Sequence, residues 1–456
     1  MKWEDAVDHN FGFKDKDDNK IKVTPLVEEA TVELMKRYHF ITIEETEEIY
    51  YYKEGVYVPG GEKLIAKVTE DMFHFNLRNN HLTEIKGHIS RLTYVKHEEL
   101  DSDINIINLK NGLYDVDNDR FFKHTPGYLS INQKPIFYKK EAKSKRFIKF
   151  LQEVLYPKEI LTAIDAMAYT IHRDYTIETI FILFGFGNNG KSVYTAVITF
   201  MHGIDNVSNV PLTEMLGDRF AISDLENKDV NIDNELSGQT IKESAVIKRL
   251  TGGTRQRIRI QRKNQKAYDT TIYAKLIFNA NRMPDSQDTS DAYNRRITSI
   301  AFPNTFEGKT EDKQLISKLT DDPNEISGIF NMLMRSLRRI KRDREIYVNE
   351  KTIEEKRLKY ERTVNPIKCF LEEAIAEDSR VEDKIQKEHF HQGYEKYCTK
   401  YMLPVEKYDS FCKILKKKYE LGDKRETTKD DKKIAFWTGV VLIPEFAPKD
   451  GQERIV

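Results

Sequence analysis

The residues best suited to chemistry in this sequence form a glycine-rich segment that begins at Gly185. The apolar run from Thr179 to Phe184 precedes it and predicts a buried strand, and the residues after Ser192 predict a helix. A G-x-x-x-x-G-K-S pattern between a strand and a helix is typical of a loop that wraps its backbone N–H groups around a polyphosphate. The predicted nucleotide site consists of Gly185, Gly187, Asn188, Asn189, Gly190, Lys191, Ser192 and Val193.

Two side chains of this loop have predicted roles beyond the backbone cradle. The Lys191 ammonium is expected to reach the β- and γ-phosphates, and the Ser192 hydroxyl is expected to bind Mg²⁺. ATP and Mg²⁺ are therefore the predicted cofactors. The alternative is a glycine-rich turn that merely joins a strand to a helix.

Two acids follow a second apolar stretch, at Asp233 and Glu235. Magnesium-dependent hydrolysis of ATP needs one carboxylate near the metal and one that orients or deprotonates the attacking water. We assign Asp233 to the metal and Glu235 to the water. The sequence leaves open an exchange of these two roles, or an exposed acidic turn.

Further polar groups stand next to later predicted strands. Asn281 ends the stretch that starts at Ala274 and is placed to touch the γ-phosphate or the water. Arg295 and Arg296 precede another apolar strand. A guanidinium brought to the γ-phosphate from a neighbouring subunit would stabilise the charge of the transition state. A solvated surface pair is the alternative for the two arginines.

The segment between the acids and Asn281 is basic, with no acidic residue from Ser244 through Tyr268. Arginine alternates with other residue types at Arg255, Arg257 and Arg259, which predicts a hairpin with guanidinium groups on one face of a strand. Such a loop suits a phosphate backbone and has little sequence preference. The alternative is a basic patch without a partner. The predicted DNA-binding residues are Arg255, Arg257, Arg259, Arg262, Lys263 and Lys266.

The elements that must hold these residues suggest a chain of several domains. The 456 residues carry 74 Lys+Arg against 74 Asp+Glu, so no overall positive charge marks a nucleic-acid partner. No apolar run is long enough to span a membrane and the amino terminus is charged, which predicts a cytoplasmic protein. The 3 cysteines fit a reducing compartment. Their spacing matches no familiar zinc finger, although His389 and His391 are nearby.

The predicted fold is α/β. Residues 1–145 form a mixed α/β domain with hairpins at Ile49 to Val58 and at Asn111-Gly112. Residues 146–345 alternate strands and helices, as in a parallel sheet covered on both faces. A charged helical connector covers 346–365, and 366–456 predict a winged-helix-like domain.

The order of these motifs resembles the superfamily 3 helicases of viruses, phages and plasmids, which belong to the AAA+ ATPases. The motifs are the phosphate loop, the acidic strand end, Leu250-Thr-Gly-Gly with its basic hairpin, the strand ending in Asn281, and the arginine pair. The similarity is greatest to the phage and plasmid primase-helicases related to the poxvirus primase-helicase, over roughly residues 35 to 445. Thr254 stands where that family has an acid, and the first 150 residues lack the acid cluster of a primase.

The resemblance implies an ATP-dependent replicative DNA helicase that forms a homo-hexamer and moves on single-stranded and forked DNA. It implies that Asp233 and Glu235 are the Walker B acids, that Asn281 senses the γ-phosphate, and that Arg295 or Arg296 acts in trans. Primase or replication-initiation proteins are expected as further partners. An ATP-regulated DNA-binding initiator or scaffold without processive unwinding is the alternative. A small-molecule kinase is disfavoured, because it would have no use for the basic hairpin or the arginine pair.

Overall fold

The computed structural model describes residues 24–73, 78–218, 220–236, 245–252, 256–263, 266–288, 290–306, 312–427, 433–448 and 452–453. The chain divides into two compact units, residues 1–140 and 141–456. Arg255 lies outside the described residues.

The first unit is a mixed α/β structure with two four-stranded sheets, ordered β3-β2-β1-β4 and β7-β6-β5-β8. Apolar faces of its helices pack on the first sheet around Leu34, Ile65 and Ile85. The helices span Thr24–Arg37, Gly61–Phe73 and Asn79–Thr93. The strands are β1 (Phe40–Ile43), β2 (Ile49–Lys53), β3 (Val56–Pro59), β4 (Tyr94–Val95), β5 (Ile106–Leu109), β6 (Gly112–Asp115), β7 (Arg120–Phe122) and β8 (Gln133–Lys134).

Both hairpins predicted in this unit are confirmed. Strands β2 and β3 pair antiparallel from Lys53 opposite Val56. Strands β5 and β6 pair from Leu109 opposite Gly112, so that the turn residues are Lys110 and Asn111. The second turn lies one residue earlier than the Asn111-Gly112 signal predicts, because Gly112 already belongs to the returning strand.

The second unit is organised around a five-stranded parallel sheet, ordered β10-β11-β14-β9-β15. Its central strands are buried on both faces, which explains their nearly continuous apolar sequences. The short β10 has no strong apolar signal and was not predicted. The strands are β9 (Ile180–Phe184), β10 (Val207–Ser208), β11 (Val230–Asp233), β14 (Lys275–Ala280) and β15 (Ile297–Ala301).

Helices of the second unit cover this sheet and continue beyond it. The α/β character predicted for this region is confirmed. An apolar stripe lies along the long helix Pro323–Asp343, and its Ile329 and Leu333 are fully buried. The other helices before it span Arg146–Val154, Ile160–Ile171, Lys191–His202, Leu212–Gly217, Ala245–Leu250, Asp291–Asn294 and Leu315–Thr320.

The charged segment after the long helix is helical over Ile353–Val364. Arg344 takes a left-handed conformation (φ 55°) and ends the preceding helix, so the connector helix is separate from the long helix. Tyr360 and Val364 pack against the core of the parallel sheet. This segment is therefore part of the packed unit rather than a free spacer.

The remaining residues of the second unit run in the order helix, strand, helix, helix, strand, strand, with a short strand at the end. They enclose an aromatic core around Phe370, Tyr394 and Phe411. Cys369 and Cys398 are buried in that core. The elements are Pro366–Ala374, β16 (Lys384–Gln386), Lys387–Tyr401, Tyr408–Lys418, β17 (Asp423–Thr427), β18 (Lys433–Thr438) and β19 (Gln452–Glu453).

None of the helices in the described ranges combines the length and apolar composition needed to cross a bilayer.

Candidate active site

A cavity of about 1240 Å³ lies at the carboxyl ends of β9, β11 and β14 in the second unit. The carboxyl edge of a parallel sheet is where α/β proteins place their ligands, since loops from neighbouring strands converge there. The predicted site residues that line the cavity are Gly187, Asn188, Asn189, Gly190, Lys191, Ser192, Val193, Glu235 and Asn281.

The glycine-rich loop depends on backbone conformations that few residues adopt. Gly190 has φ 92° directly before the helix Lys191–His202, and a Cβ there would lie 2.7 Å from Val154 Cγ1. Gly185 has φ 151°, and a Cβ on it would lie 2.3 Å from the carbonyl oxygen of Phe302. Both positions therefore require glycine. The loop ends at a helix amino terminus, whose N–H groups attract anions.

Lys191 lies within this loop and is mostly buried. Its Nζ donates to the carbonyl oxygen of Gly185 at 2.5 Å and to Asn189 Oδ1 at 3.1 Å. Burial lowers the pKa of Lys191 to about 8, because the charged ammonium loses hydration. A polyphosphate near this ammonium would restore the preference for the charged form.

The two acids at the end of β11 have different surroundings. Glu235 lines the cavity, together with its neighbour Asn234. Asp233 is buried, its Oδ2 accepts from the Leu212 N–H at 3.1 Å, and its Oδ1 accepts from the Glu235 N–H at 3.1 Å. Asp233 is not among the residues that line the cavity, but each of its oxygens accepts only one backbone N–H and keeps a free lone pair. The assignment of Asp233 to the metal therefore stays a prediction.

Two asparagines at the end of β14 reach the cavity, and only Asn281 was predicted. Asn279 precedes it by two residues and donates from Nδ2 to Asn234 Oδ1 at 2.9 Å. Its Oδ1 is buried and has no hydrogen-bond partner within the described part of the chain. The alternation Asn-Ala-Asn already indicates that both side chains share one side of the strand.

The arginine pair is divided by burial. Arg296 is only 6% exposed and donates to Thr251 Oγ1, to the carbonyl oxygen of Ala292 and to Glu178. Arg295 also binds Glu178, but half of its side chain is exposed. Neither arginine lines the cavity of its own chain. Arg295 is the one of the two with a guanidinium accessible to a second molecule.

The basic segment forms the predicted hairpin, confirmed by antiparallel pairing of β12 (Ile258–Ile260) with β13 (Tyr268–Thr270). Ile258 and Ile260 are buried and Arg259 is exposed between them, opposite Asp269. Five cations of the described part of the hairpin are exposed. They are Arg257, Arg259, Arg262, Lys263 and Lys266.

Two cations of the hairpin are bound within the chain. Arg262 forms an ion pair of 2.9 Å with the buried Glu226, whose carboxylate also accepts from the Tyr268 hydroxyl. Arg257 donates to the carbonyl oxygen of Asp269 at 3.3 Å. The predicted DNA-binding role of Arg262 thus competes with its contact to Glu226, which anchors the end of the hairpin strands nearest the turn.

The cavity also contains residues that the sequence analysis did not assign to a site. Arg282 follows Asn281, and several apolar side chains form a wall suited to a flat base. The apolar residues lining the cavity include Phe150, Val154, Phe306, Leu315 and Ile316. Phe150 and Val154 lie on the apolar stripe of the helix Arg146–Val154, and such a stripe in a sequence does not distinguish a core face from a ligand wall.

Comparisons with known proteins agree with the resemblance in its coarser form. Residues 28–156 match the family described as D5 N terminal like, and residues 183–296 match a family of unknown function, DUF5906. The first match relates the chain to the primase-helicase-type replication proteins of phages and viruses. A search of the curated proteins gives no match.

Among solved structures, two apo structures of the NrS-1 C-terminal region are similar to this chain. The TM-scores are 0.48 and 0.47 at 13% sequence identity, and each comparison covers 90% of this chain and 98% of the other.

Proposed function

We propose that the chain is an ATP-driven helicase of the superfamily 3, AAA+ type, acting in replication of a virus, phage or plasmid-like element. The observation that carries the proposal is the cavity that collects the phosphate loop, Glu235 and Asn281 at one sheet edge. The strand order supports it. Counted from the strand before the phosphate loop, the sheet reads 5-1-4-3-2, the order of AAA+ ATPases.

The residues of the cavity suit hydrolysis of a terminal phosphoanhydride. Lys191 and the helix amino terminus hold the negative charge of the polyphosphate. Glu235 orients a water for in-line attack and takes its proton. Asn281 donates to the γ-phosphate, and Asn279 offers its buried Oδ1 to a bound water. The apolar wall with Phe150 and Phe306 packs against the base.

Mg²⁺ fits this set of donors. Mg²⁺ in nucleotide sites keeps several waters and phosphate oxygens and needs only one or two protein ligands. The Ser192 hydroxyl lines the cavity and would hold Mg²⁺ together with Asp233 at the end of β11, directly or through water. Bound Mg²⁺ would neutralise charge on the phosphates.

Exposed cations outside the cavity support two further parts of the proposal. One is a ring of several copies of the chain, and the other is action on a polynucleotide. The exposed Arg295 is suited to reach the nucleotide of a neighbouring subunit in a ring, a hexamer by the family resemblance. The exposed cations of the hairpin, Arg257, Arg259, Lys263 and Lys266, are suited to the phosphates of single-stranded DNA. The order of elements from Pro366 to Thr438 supports a winged helix as an additional contact for DNA or replication proteins.

The test is ATP hydrolysis and strand separation on a forked duplex, measured for the parent and for Lys191→Ala. Lys228→Ala is the matched control, because Lys228 is a surface lysine that donates to the carbonyl oxygen of Asp205. We expect Lys191→Ala to slow hydrolysis about 10²–10³-fold and to abolish strand separation, since a positioned charge on the transition state is lost.

The outcomes separate the candidate functions. A parent that hydrolyses ATP but never separates strands contradicts the helicase and leaves the initiator or scaffold. A parent that neither binds nor hydrolyses ATP contradicts the nucleotide site itself.

A further inference from the structure

Arg282 connects the candidate nucleotide cavity to the carboxyl-terminal part of the second unit. It directly follows Asn281 and lines the cavity. Its guanidinium lies over the ring of Phe186 in the glycine-rich loop, 5.7 Å from the ring centre. Its Nη2 also donates to Glu406 Oε1 at 2.9 Å. One side chain thus touches the loop that would hold the phosphates and a residue more than a hundred positions later.

The two partners of this ion pair differ in freedom. The Arg282 side chain is 62% exposed, so it can turn toward the cavity without breaking packing. The Glu406 side chain is only 10% exposed, and its Oε1 also accepts from the Ser410 hydroxyl at 2.5 Å. The backbone oxygen of Glu406 lies 2.9 Å from His391 Nε2. Glu406 is therefore fixed in the carboxyl-terminal part, and Arg282 is the movable member.

A second contact joins the same loop to the connector helix Ile353–Val364. The Tyr360 hydroxyl donates to the carbonyl oxygen of Pro284 at 2.9 Å, two residues after Arg282. Tyr360 also packs edge-on against Tyr293, which lies just before the arginine pair. The loop from Asn281 to Pro284 is thus bonded at both ends to segments beyond the parallel sheet.

We propose that Arg282 binds the terminal phosphate of the bound nucleotide and that Glu406 competes for its guanidinium. The inference rests on the proposed ATP site and adds a residue to it. A γ-phosphate is an acceptor of higher charge than a carboxylate, and arginine binds both in the same forked geometry. When Arg282 turns to the phosphate, Ser410 is the side-chain hydrogen-bond partner that Glu406 keeps among the described residues. Nucleotide state is thereby linked to how the carboxyl-terminal part is held.

The linkage predicts opposite effects of two substitutions. Glu406→Gln weakens the competing acceptor, so binding of a non-hydrolysable ATP analogue should tighten about fivefold, at the lower end of typical coupling between sites. Binding of ADP, which lacks the γ-phosphate, should not change. Ser410→Ala leaves Glu406 with Arg282 as its side-chain partner, so the ATP analogue should bind more weakly.

The experiment is a double-mutant cycle with calorimetric dissociation constants. The proteins are the parent, Glu406→Gln, Arg282→Ala and their combination, with Ser410→Ala as the variant of opposite sign. Glu445→Gln is the matched control, because Glu445 forms an exposed ion pair with Lys400. We expect Glu406→Gln to have no effect in the Arg282→Ala background. Melting temperatures accompany each variant.

Three results would overturn the inference. They are an unchanged dissociation constant in Glu406→Gln, the same change in the presence and absence of Arg282, and an equal change for ADP. In each of these the parent still binds the ATP analogue, so the proposed function survives. A parent that does not bind the analogue defeats both.

Discussion

The glycine-rich loop and the basic hairpin are both cationic regions of the second unit, but the chain treats their charges differently. Lys191 is mostly buried and bonded to Gly185 and Asn189. In the hairpin, Arg259 and Lys263 are exposed. The charge of the loop is therefore bonded within its own chain, whereas the hairpin presents charge to another molecule.

The same division recurs at the arginine pair, which shows that position in the sequence alone does not define a role. Arg296 is fastened by Thr251, Ala292 and Glu178, while its neighbour Arg295 is half exposed. Burial and bonding thus separate the cations that hold the fold from those that are free to meet a ligand.

Substitution of the two arginines should separate these roles most strongly. Arg295→Ala should lower the rate of ATP hydrolysis by about 10³-fold or more, as for other trans-acting arginines, with nucleotide affinity little changed. Arg296→Ala should instead lower the melting temperature, because Glu178 loses a partner and the Thr251 contact is lost. Turnover at saturating ATP, nucleotide affinity and thermal unfolding check both variants.

Equal loss of turnover in both variants at unchanged melting temperature would break the division by burial. Mixing Arg295→Ala with Lys191→Ala protein provides a control. If Arg295 acts in trans, mixed assemblies regain part of the activity, because some interfaces then combine an intact Lys191 with an intact Arg295.

A smaller effect tests the buried state of Lys191 through pH. Its lowered pKa of about 8 means that the ammonium of the free protein loses its proton as the pH rises through 8. Polyphosphate binds the charged form, so ATP binding above pH 8 takes up a proton and weakens. We expect affinity for an ATP analogue to fall about tenfold between pH 7 and pH 9.

Calorimetry in buffers of different ionisation enthalpy measures both the affinity and the proton uptake. Lys191→Met is the control and should lose the dependence. An identical pH profile in the parent and in Lys191→Met would show that another group titrates.

The sequence predicts much of this architecture because its signals are local. A strand followed by a glycine-rich turn and a helix leaves few alternatives, and the apolar runs of β9 and β14 require burial on both faces. The two-residue hairpin near Asn111 is likewise set by turn chemistry and neighbouring apolar residues.

What the sequence could not predict depends on distant partners. The backbone N–H groups that donate to the Asp233 carboxylate come from Leu212 and Glu235, and no spacing rule connects Leu212 to β11. The contact of Arg282 with Glu406 joins residues in separate elements. Whether a cation is bonded, as in Arg262 with Glu226, or exposed also follows only from tertiary packing.

In the proposed function, ATP hydrolysis is coupled to a polynucleotide held by the hairpin. The most direct measurement is the ATP hydrolysis rate across single-stranded DNA concentrations at several salt concentrations, for the parent and for a variant with glutamine at Arg257, Arg259, Lys263 and Lys266. We predict that DNA accelerates hydrolysis and that the logarithm of its apparent affinity falls with log salt by about 0.7 per phosphate neutralised. The variant should need more DNA and show a shallower slope. A rate indifferent to DNA at every salt concentration, or identical DNA dependence in the variant, would contradict the account.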